Sequence, residues 1–276
     1  GPGESHLDAQ ALQKLIDAGQ ASHSDALVVL QDGKVVGEWY SAGKSKKIEA
    51  MSTTKSIVNL AVGRLVTTGA LKSIDVPVST FYPEWNQGRK AKITIRHLLN
   101  HTSGIQANPT TEEIYASKDF VRLALDAEIT SEPGTTFFYN NKAANLLAGI
   151  VGKISGKRMD RFLRDDLFAK LGITDFDWTL DPAGNPHGMS GFQVLPADLA
   201  RLGQLTLDRG RWKGEQLIAS SWFDESLRQG SPLNPTCGLL WWLIPERTTY
   251  TVDADRVEAL RRAGVDSLFV NKLRGA

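Results

Sequence analysis

The chain has 276 residues, enough for one large domain or two intertwined ones with a substantial core. Lys and Arg number 32 against 31 Asp and Glu, so no excess charge is present to attract nucleic acid or an anionic membrane. Cys237 is the one cysteine, which excludes an internal disulfide and a thiolate metal cluster. No apolar run in the sequence is long enough to span a bilayer.

The N-terminal part of the chain predicts a helix followed by a β-hairpin. Apolar residues recur at helical spacing over residues 7–18. Two β-rich runs, 26–31 and 34–40, are joined by Asp32-Gly33, and both residues of that dipeptide tolerate positive φ. This combination is typical of a hairpin.

A buried helix is predicted to begin at Ser52 and to end near Leu71, with Gly69 as its C-cap. Its apolar side chains surround the whole axis, which is typical of a helix enclosed in a core. Further helices are predicted at about 95–100, 112–127, 142–154, 158–170, 197–208 and 220–229. The last predicted elements are a strand at 237–244 and two short helices within 253–274.

This order of elements predicts an α/β (α+β) fold in which an antiparallel sheet is flanked by helices and interrupted by a large, mostly helical domain. Residues 4–50 and 230–276 would form the sheet-containing domain, and residues 51–229 the helical domain. A reactive residue at the start of the buried helix would then lie at the seam between them, where ligand clefts commonly form.

Ser52 and Lys55 form the first candidate pair for catalysis. Residues i and i+3 share one face of a helix, so the lysine can approach the serine hydroxyl and receive its proton. Burial and the positive end of the helix dipole both disfavour a charged lysine there. The same dipole and the free N–H groups of the first turn favour an oxyanion beside Ser52.

The Ser-x-x-Lys spacing is a weak signal alone, and it occurs a second time at Ser41 and Lys44. That second copy lies in a polar, lysine-rich loop with no apolar helix behind it. The copy at the start of the buried helix is therefore the one predicted to be reactive.

Tyr139-Asn140-Asn141 is the second candidate motif. Tyr139 can accept a proton if cationic Lys55 lowers the pKa of its phenol, and Asn141 can donate an amide N–H to a substrate carbonyl. From the residues alone, a core tyrosine followed by an N-cap asparagine is an equally good interpretation.

Several ordered segments between residues 25 and 245 resemble one branch of the serine β-lactamase and penicillin-binding-protein superfamily, the class C and S12-peptidase-like branch. These are Met51–Trp85, Ile93–Gly104, Pro133–Asn141 and Leu195–Gly203. The resemblance implies a β-lactamase-like fold and a serine acyl hydrolase that forms an acyl-enzyme on a β-lactam, a D-amino-acid peptide or an ester.

Carried over by position, the resemblance implies that Ser52 is the nucleophile, Lys55 its activator, Tyr139 a proton shuttle and Asn141 a substrate contact. It implies no cofactor and no metal, and a small acyl compound as the substrate. His97 and His101 are better explained as structural residues, because a zinc site would need a third ligand that the sequence does not indicate. The resemblance further suggests export or a periplasmic location, although the composition suits the cytoplasm equally.

The superfamily's third motif, a Lys-Thr-Gly, His-x-Gly or Trp-x-Gly on a strand beside the site, is not found at the expected place. Trp212-Lys213-Gly214 matches the Trp-x-Gly pattern but falls between two predicted helices, so we interpret it as a turn. The resemblance also predicts further strands after 237–244, where this sequence gives a helical pattern. We therefore expect C-terminal strands to be missing, so that the edge of the 26–40 hairpin is bare or is covered by a protein partner or a second copy.

Two functional readings stay open from the sequence. The first is an active serine acyl hydrolase. The second is a penicillin-recognising or scaffold protein that keeps the fold with little or no turnover. The joint presence of Ser52, Lys55 and Tyr139 argues against it, because a pure scaffold needs none of these three residues for catalysis.

Overall fold

The computed structural model describes residues 7–244, Glu258 and Arg262. Helix α1 (Ala9–Ala21) is capped by Asp8, whose carboxylate accepts the Ala11 N–H at 2.8 Å. None of the helices in the described ranges is long and apolar enough to cross a bilayer.

The predicted hairpin is confirmed as β1 (Ala26–Gln31) and β2 (Lys34–Tyr40), paired antiparallel. Asp32 and Gly33 have φ values of 52° and 77°, as the turn requires. Helix α1 lies against β2 at Gly37, where an added Cβ would stand 2.9 Å from a methyl carbon of Leu12. Within residues 7–244 no third strand pairs with this hairpin, and a partner over its edge stays a prediction.

The predicted buried helix is α2 (Thr54–Thr68), which ends at Gly69 with φ 79°. A 3-10 turn, Met51–Thr53, precedes it, so Ser52 lies just before the regular helix. All residues from Thr54 to Leu65 are buried. This burial explains why apolar side chains surround the axis, since α2 forms the centre of the main core.

Most of the other helices lie close to their predicted positions, and several of them pack against α2. They are α3 (Ile95–Leu99), α4 (Glu112–Ala116), α5 (Phe120–Asp126), α6 (Asn141–Ser155), α7 (Met159–Leu163), α8 (Ala169–Leu171), α9 (Pro196–Leu207) and α10 (Ser220–Ser226). A π-helical turn, Arg164–Phe168, joins α7 to α8.

Two small sheets complete the described strands. The first consists of β3 (Ile48–Glu49), β4 (Phe176–Trp178) and β5 (Phe192–Val194) in the order β3-β5-β4. In this sheet, β3 lies before residue 50 and pairs with a strand that lies far after it. The predicted boundary between the two domains at residue 50 therefore falls beside a strand of a shared sheet. The division into two domains stays a prediction. The second sheet is the hairpin of β6 (Arg211–Trp212) and β7 (Glu215–Gln216), which are joined by Lys213-Gly214. The interpretation of Trp212-Lys213-Gly214 as a turn is therefore confirmed.

The predicted strand at 237–244 is wrong. The backbone folds back on itself there: Gly238 N donates to Trp241 O at 2.8 Å, and Leu240 has a φ of 63°. Polar side chains of α2 hold this turn, since Ser56 Oγ donates to Leu240 O at 2.7 Å and Asn59 Nδ2 to Leu239 O at 2.8 Å. These hydrogen bonds occupy the carbonyl groups of Leu239 and Leu240, which in a strand would accept from a neighbouring strand. The helices predicted within 253–274 lie outside the described residues, apart from Glu258 and Arg262.

Candidate active site

Ser52 is presented to solvent by a constrained backbone. The preceding residue, Met51, has a φ of 50°, an uncommon value for a side chain of its type. The Glu49 carboxylate accepts the backbone N–H of Met51 and also that of Gly191, which ties the end of β3 to the start of β5. These contacts fix the approach to Ser52, which is exposed.

Lys55 lies directly behind Ser52 and is only 3% exposed. Its Nζ donates to Ser52 Oγ at 3.2 Å and to the Met189 carbonyl at 2.9 Å. Burial lowers the pKa of Lys55 from 10.5 to about 7. A substantial fraction of this lysine is therefore neutral near neutral pH, and a neutral amine can accept the serine proton.

Tyr139 contacts both Ser52 and Lys55. Its hydroxyl donates to Ser52 Oγ at 3.0 Å, and Lys55 Nζ lies 4.7 Å from the centre of its ring. The pKa of Tyr139 is nevertheless raised, first by burial, while the hydrogen bond with Ser52 opposes that rise. The condition under which Tyr139 would start as a proton acceptor, a lowered pKa, is therefore not met, because burial disfavours the phenolate.

The two asparagines after Tyr139 have different places. Asn140 is the N-cap of α6: its Oδ1 accepts the Ala143 N–H at 3.1 Å, and its Nδ2 donates to Ile105 O at 3.0 Å. Asn141, the predicted substrate contact, is the first residue of the helix and lines a separate small cavity beside Glu113. The structure thus brings Ser52, Lys55 and Tyr139 together. Asn141 lines a different cavity, and its role as a substrate contact stays a prediction.

A cavity of about 140 Å³ opens beside Ser52. The turn at 237–242 forms one wall with apolar side chains, and the indole of Trp242 stacks on the Tyr139 ring with a centroid distance of 6.0 Å. Its lining residues are Ser52, Thr53, Lys55, Ser56, His101, Tyr139, Cys237, Leu240, Trp241 and Trp242. Burial raises the pKa of the Cys237 thiol to about 11, so this thiol is protonated near neutral pH.

Both histidines considered in the sequence have structural contacts. His97 forms a capping box with Thr94 at the start of α3. His101 accepts the Asn140 N–H through Nδ1 at 3.0 Å, which requires a neutral ring. Burial, and to a smaller extent Lys55, lowers the pKa of His101 to about 3. No group of three His, Cys, Asp or Glu side chains suited to a metal ion occurs among the described residues.

Sequence reasoning missed the loop between β4 and β5. Met189 supplies the carbonyl that accepts from Lys55, and Asn145 of α6 holds the N–H groups of Gly188 and Met189 at 2.9 and 3.0 Å. The glycines at 188 and 191 signal a tight turn. Nothing in the sequence shows that this turn, 134 residues after Lys55, touches its amine.

A serine, a buried lysine one helical turn later and a tyrosine hydroxyl on the serine oxygen together define a site of the serine acyl-transfer type. The sequence model for the Beta-lactamase family matches residues 12–252. The chain therefore belongs to the Beta-lactamase family.

Individual relatives agree with this assignment. A 6-aminohexanoate-dimer hydrolase from Paenarthrobacter ureafaciens is 27% identical over 247 residues, which cover 82% of this chain and 63% of that protein. The solved structure of a β-lactamase/D-alanine carboxypeptidase from Pseudomonas syringae superposes with a TM-score of 0.67 at 16% identity. The superposition covers 94% of this chain and 80% of the Pseudomonas chain. A D-stereospecific amidohydrolase from Streptomyces superposes with a TM-score of 0.62 at 22% identity, covering 85% and 82%.

These two solved structures establish the fold. The chain spans less than two thirds of the length of the Paenarthrobacter hydrolase, so the matched region corresponds to a part of that protein.

Proposed function

We propose that this chain carries the acylation site of a serine hydrolase that acts on a small acyl compound: a β-lactam, a D-amino-acid peptide or an ester. The observation that carries the proposal is the position of Ser52 Oγ, 3.2 Å from Lys55 Nζ and 3.0 Å from the Tyr139 hydroxyl. A nucleophilic hydroxyl needs a base within hydrogen-bond reach, and Lys55 fulfils that condition with a pKa of about 7.

In the proposed reaction, Ser52 Oγ attacks the substrate carbonyl carbon while its proton passes to the neutral amine of Lys55. The Tyr139 hydroxyl gives its proton to the leaving nitrogen or oxygen as the old acyl bond breaks, and the lysine ammonium returns a proton to the phenol oxygen. Water then attacks the ester formed at Ser52, releasing the acid and restoring the serine hydroxyl. The raised pKa of Tyr139 suits a group that starts this cycle protonated.

Backbone groups near Ser52 support the same reaction. The N–H groups of the first turn of a helix have no partner within the helix and favour negative charge. Ser52 lies in the 3-10 turn that leads into α2, so its own N–H is suited to stabilise the oxyanion of the tetrahedral intermediate.

The relatives' names suggest which acyl compounds to test. The Paenarthrobacter protein is called a hydrolase of a 6-aminohexanoate dimer, and the Streptomyces protein a D-stereospecific amidohydrolase. Linear amides therefore belong with β-lactams and esters among the substrates to be tried.

The proposal is tested by turnover of three substrates: p-nitrophenyl acetate, a chromogenic cephalosporin and a D-alanyl peptide. We expect the chain to hydrolyse at least one of them and Ser52→Ala to lose that activity. The matched control is Ser41→Ala, which removes the serine of the second Ser-x-x-Lys copy and should leave turnover unchanged. Equal turnover by Ser52→Ala and the unmodified chain would contradict the proposal, whereas one burst of product without turnover would favour the scaffold alternative.

A further inference from the structure

The side chain of Asn145 lies in the second turn of α6 and is buried, with 1% exposure. Its Oδ1 accepts two consecutive backbone N–H groups, those of Gly188 at 2.9 Å and Met189 at 3.0 Å. A single side-chain oxygen therefore holds the loop between β4 and β5 against the helix.

The loop backbone rests directly on α6. A Cβ added to Gly188 would stand 2.0 Å from the Ala144 carbonyl oxygen, so only glycine permits this approach. The next residue, Met189, turns its own carbonyl toward Lys55 and accepts from Nζ at 2.9 Å. The position of that carbonyl is thus set on one side by Gly188 and on the other by the hydrogen bond that the Met189 N–H donates to Asn145 Oδ1.

A neutral lysine amine has two hydrogens and one lone pair. When one N–H donates to Met189 O, the rotation of the amine is restricted, and its lone pair can face the Ser52 hydroxyl. The two partners of Nζ in the structure, Ser52 Oγ and Met189 O, match this requirement.

We infer that Asn145 is a positioning residue for acylation, acting through the Met189 carbonyl to orient the Lys55 amine toward Ser52. This inference rests on the proposed function of Ser52 and Lys55. It assigns to α6 a second contribution to the site, since Tyr139 lies two residues before the start of that helix.

The other half of the Asn145 amide argues against a role in packing alone. Asn145 Nδ2 is buried and has no hydrogen-bond partner among the described residues. Leaving a buried polar group unpaired destabilises the folded protein. A leucine of similar size would avoid that cost, so the benefit of asparagine here lies in the oxygen that holds the loop.

The decisive variants are Asn145→Leu, which removes the acceptor at similar volume, and Asn145→Asp, which retains an oxygen acceptor. We expect Asn145→Leu to lower the limiting rate of acylation by p-nitrophenyl acetate roughly 10-fold or more with little change in KM. The midpoint of the rise in rate with pH should also move by about half a pH unit or more, because the protonation of Lys55 depends on Met189 O. Asn145→Asp should recover most of the limiting rate.

The pH midpoint can be assigned to Lys55 because few other groups that face its amine change their protonation state between about pH 5 and pH 9. His101, Tyr139 and Cys237 line the same cleft as Lys55, and the ring of His101 is neutral throughout that range. The matched control is Asn185→Leu, which removes an amide that binds Asp119 and Asp181 in the same β4–β5 connection. It should lower stability without moving the midpoint.

An Asn145→Leu variant with unchanged limiting rate and midpoint would overturn the inference. A loss of stability alone, with normal acylation by the folded protein, would overturn it equally. If the leucine variant does not fold, Asn145→Ala, which is smaller, is judged by the same criteria. Failure of the proposed function would look different, because the unmodified chain would then show no acylation that depends on Ser52.

Discussion

At the scale of single residues, the protonation state of Lys55 determines what Ser52 can do. The lysine is buried and its pKa is about 7, so it is mainly an ammonium below that pH and mainly an amine above it. Only the amine can accept the proton of Ser52. The acylation rate should therefore rise with pH through a midpoint near 7 and then level off.

The measurement for this prediction is the pre-steady-state rate of acylation by an activated ester between about pH 5 and pH 9, corrected for spontaneous hydrolysis. A rate that continues to rise toward pH 10.5, the ordinary pKa of lysine, would show that Lys55 is not desolvated as the structure indicates.

Removing either partner of Ser52 should affect chemistry much more than folding. Lys55→Met deletes the base and Tyr139→Phe deletes the hydroxyl that donates to Ser52 Oγ. We expect each variant to acylate roughly 10²–10⁴-fold more slowly, the range typical of an acid–base group. Thermal unfolding checks that both variants are folded. Near-normal acylation rates in both variants would show that neither Lys55 nor Tyr139 takes the proton of Ser52, and would contradict the proposed mechanism.

The sequence predicts this part of the site well because much of it is local. Ser52 and Lys55 are one helical turn apart, and the apolar helix that follows indicates that the lysine is buried. Asn145 has no such signal, since its partners Gly188 and Met189 are more than 40 residues away. The sequence also does not show which of the two asparagines caps α6; in the structure it is Asn140.

At the scale of elements, two helical glycines give a test of how tightly α2 is enclosed. A Cβ on Gly63 of α2 would stand 2.5 Å from the indole of Trp222, whereas one on Gly203 of α9 would meet nothing within 4 Å. We expect Gly63→Ala to destabilise the fold by about 1–3 kcal/mol through overpacking. The matched change Gly203→Ala should stabilise it by about 0.5–1 kcal/mol, because alanine suits a helix better.

Urea unfolding of the two variants and the unmodified chain measures these changes. Similar effects of the same sign at both glycines would contradict the close contact between α2 and α10 at Gly63 and Trp222.

Helical elements are predicted more accurately than the others, and the failures have physical causes. The predicted helix at 112–127 is broken because Asp119 accepts the Arg122 N–H and starts a second helix, α5. The strand expected at 237–244 is a turn because side chains of α2 take its backbone groups. Both outcomes depend on specific hydrogen bonds that hydrophobic periodicity does not show.

At the scale of the whole molecule, α2, α6 and the turn at 237–242 converge on one cleft. Helix α2 supplies the lysine, the approach to α6 supplies the tyrosine, and the turn supplies an apolar wall. The resemblance in sequence predicts the family and the general fold, and both are confirmed. The substrate depends on the shape of this cleft, which no single motif specifies.

Mass spectrometry of the 276-residue chain after incubation with an activated ester or a fluorescent penicillin tests the central claim most directly, because it asks which atom is acylated. We predict a single adduct, located by proteolysis on the peptide that contains Met51–Lys55, and no adduct on that peptide in Ser52→Ala. Equal labelling of Ser52→Ala, or an adduct confined to another peptide, would show that Ser52 is not the acyl acceptor.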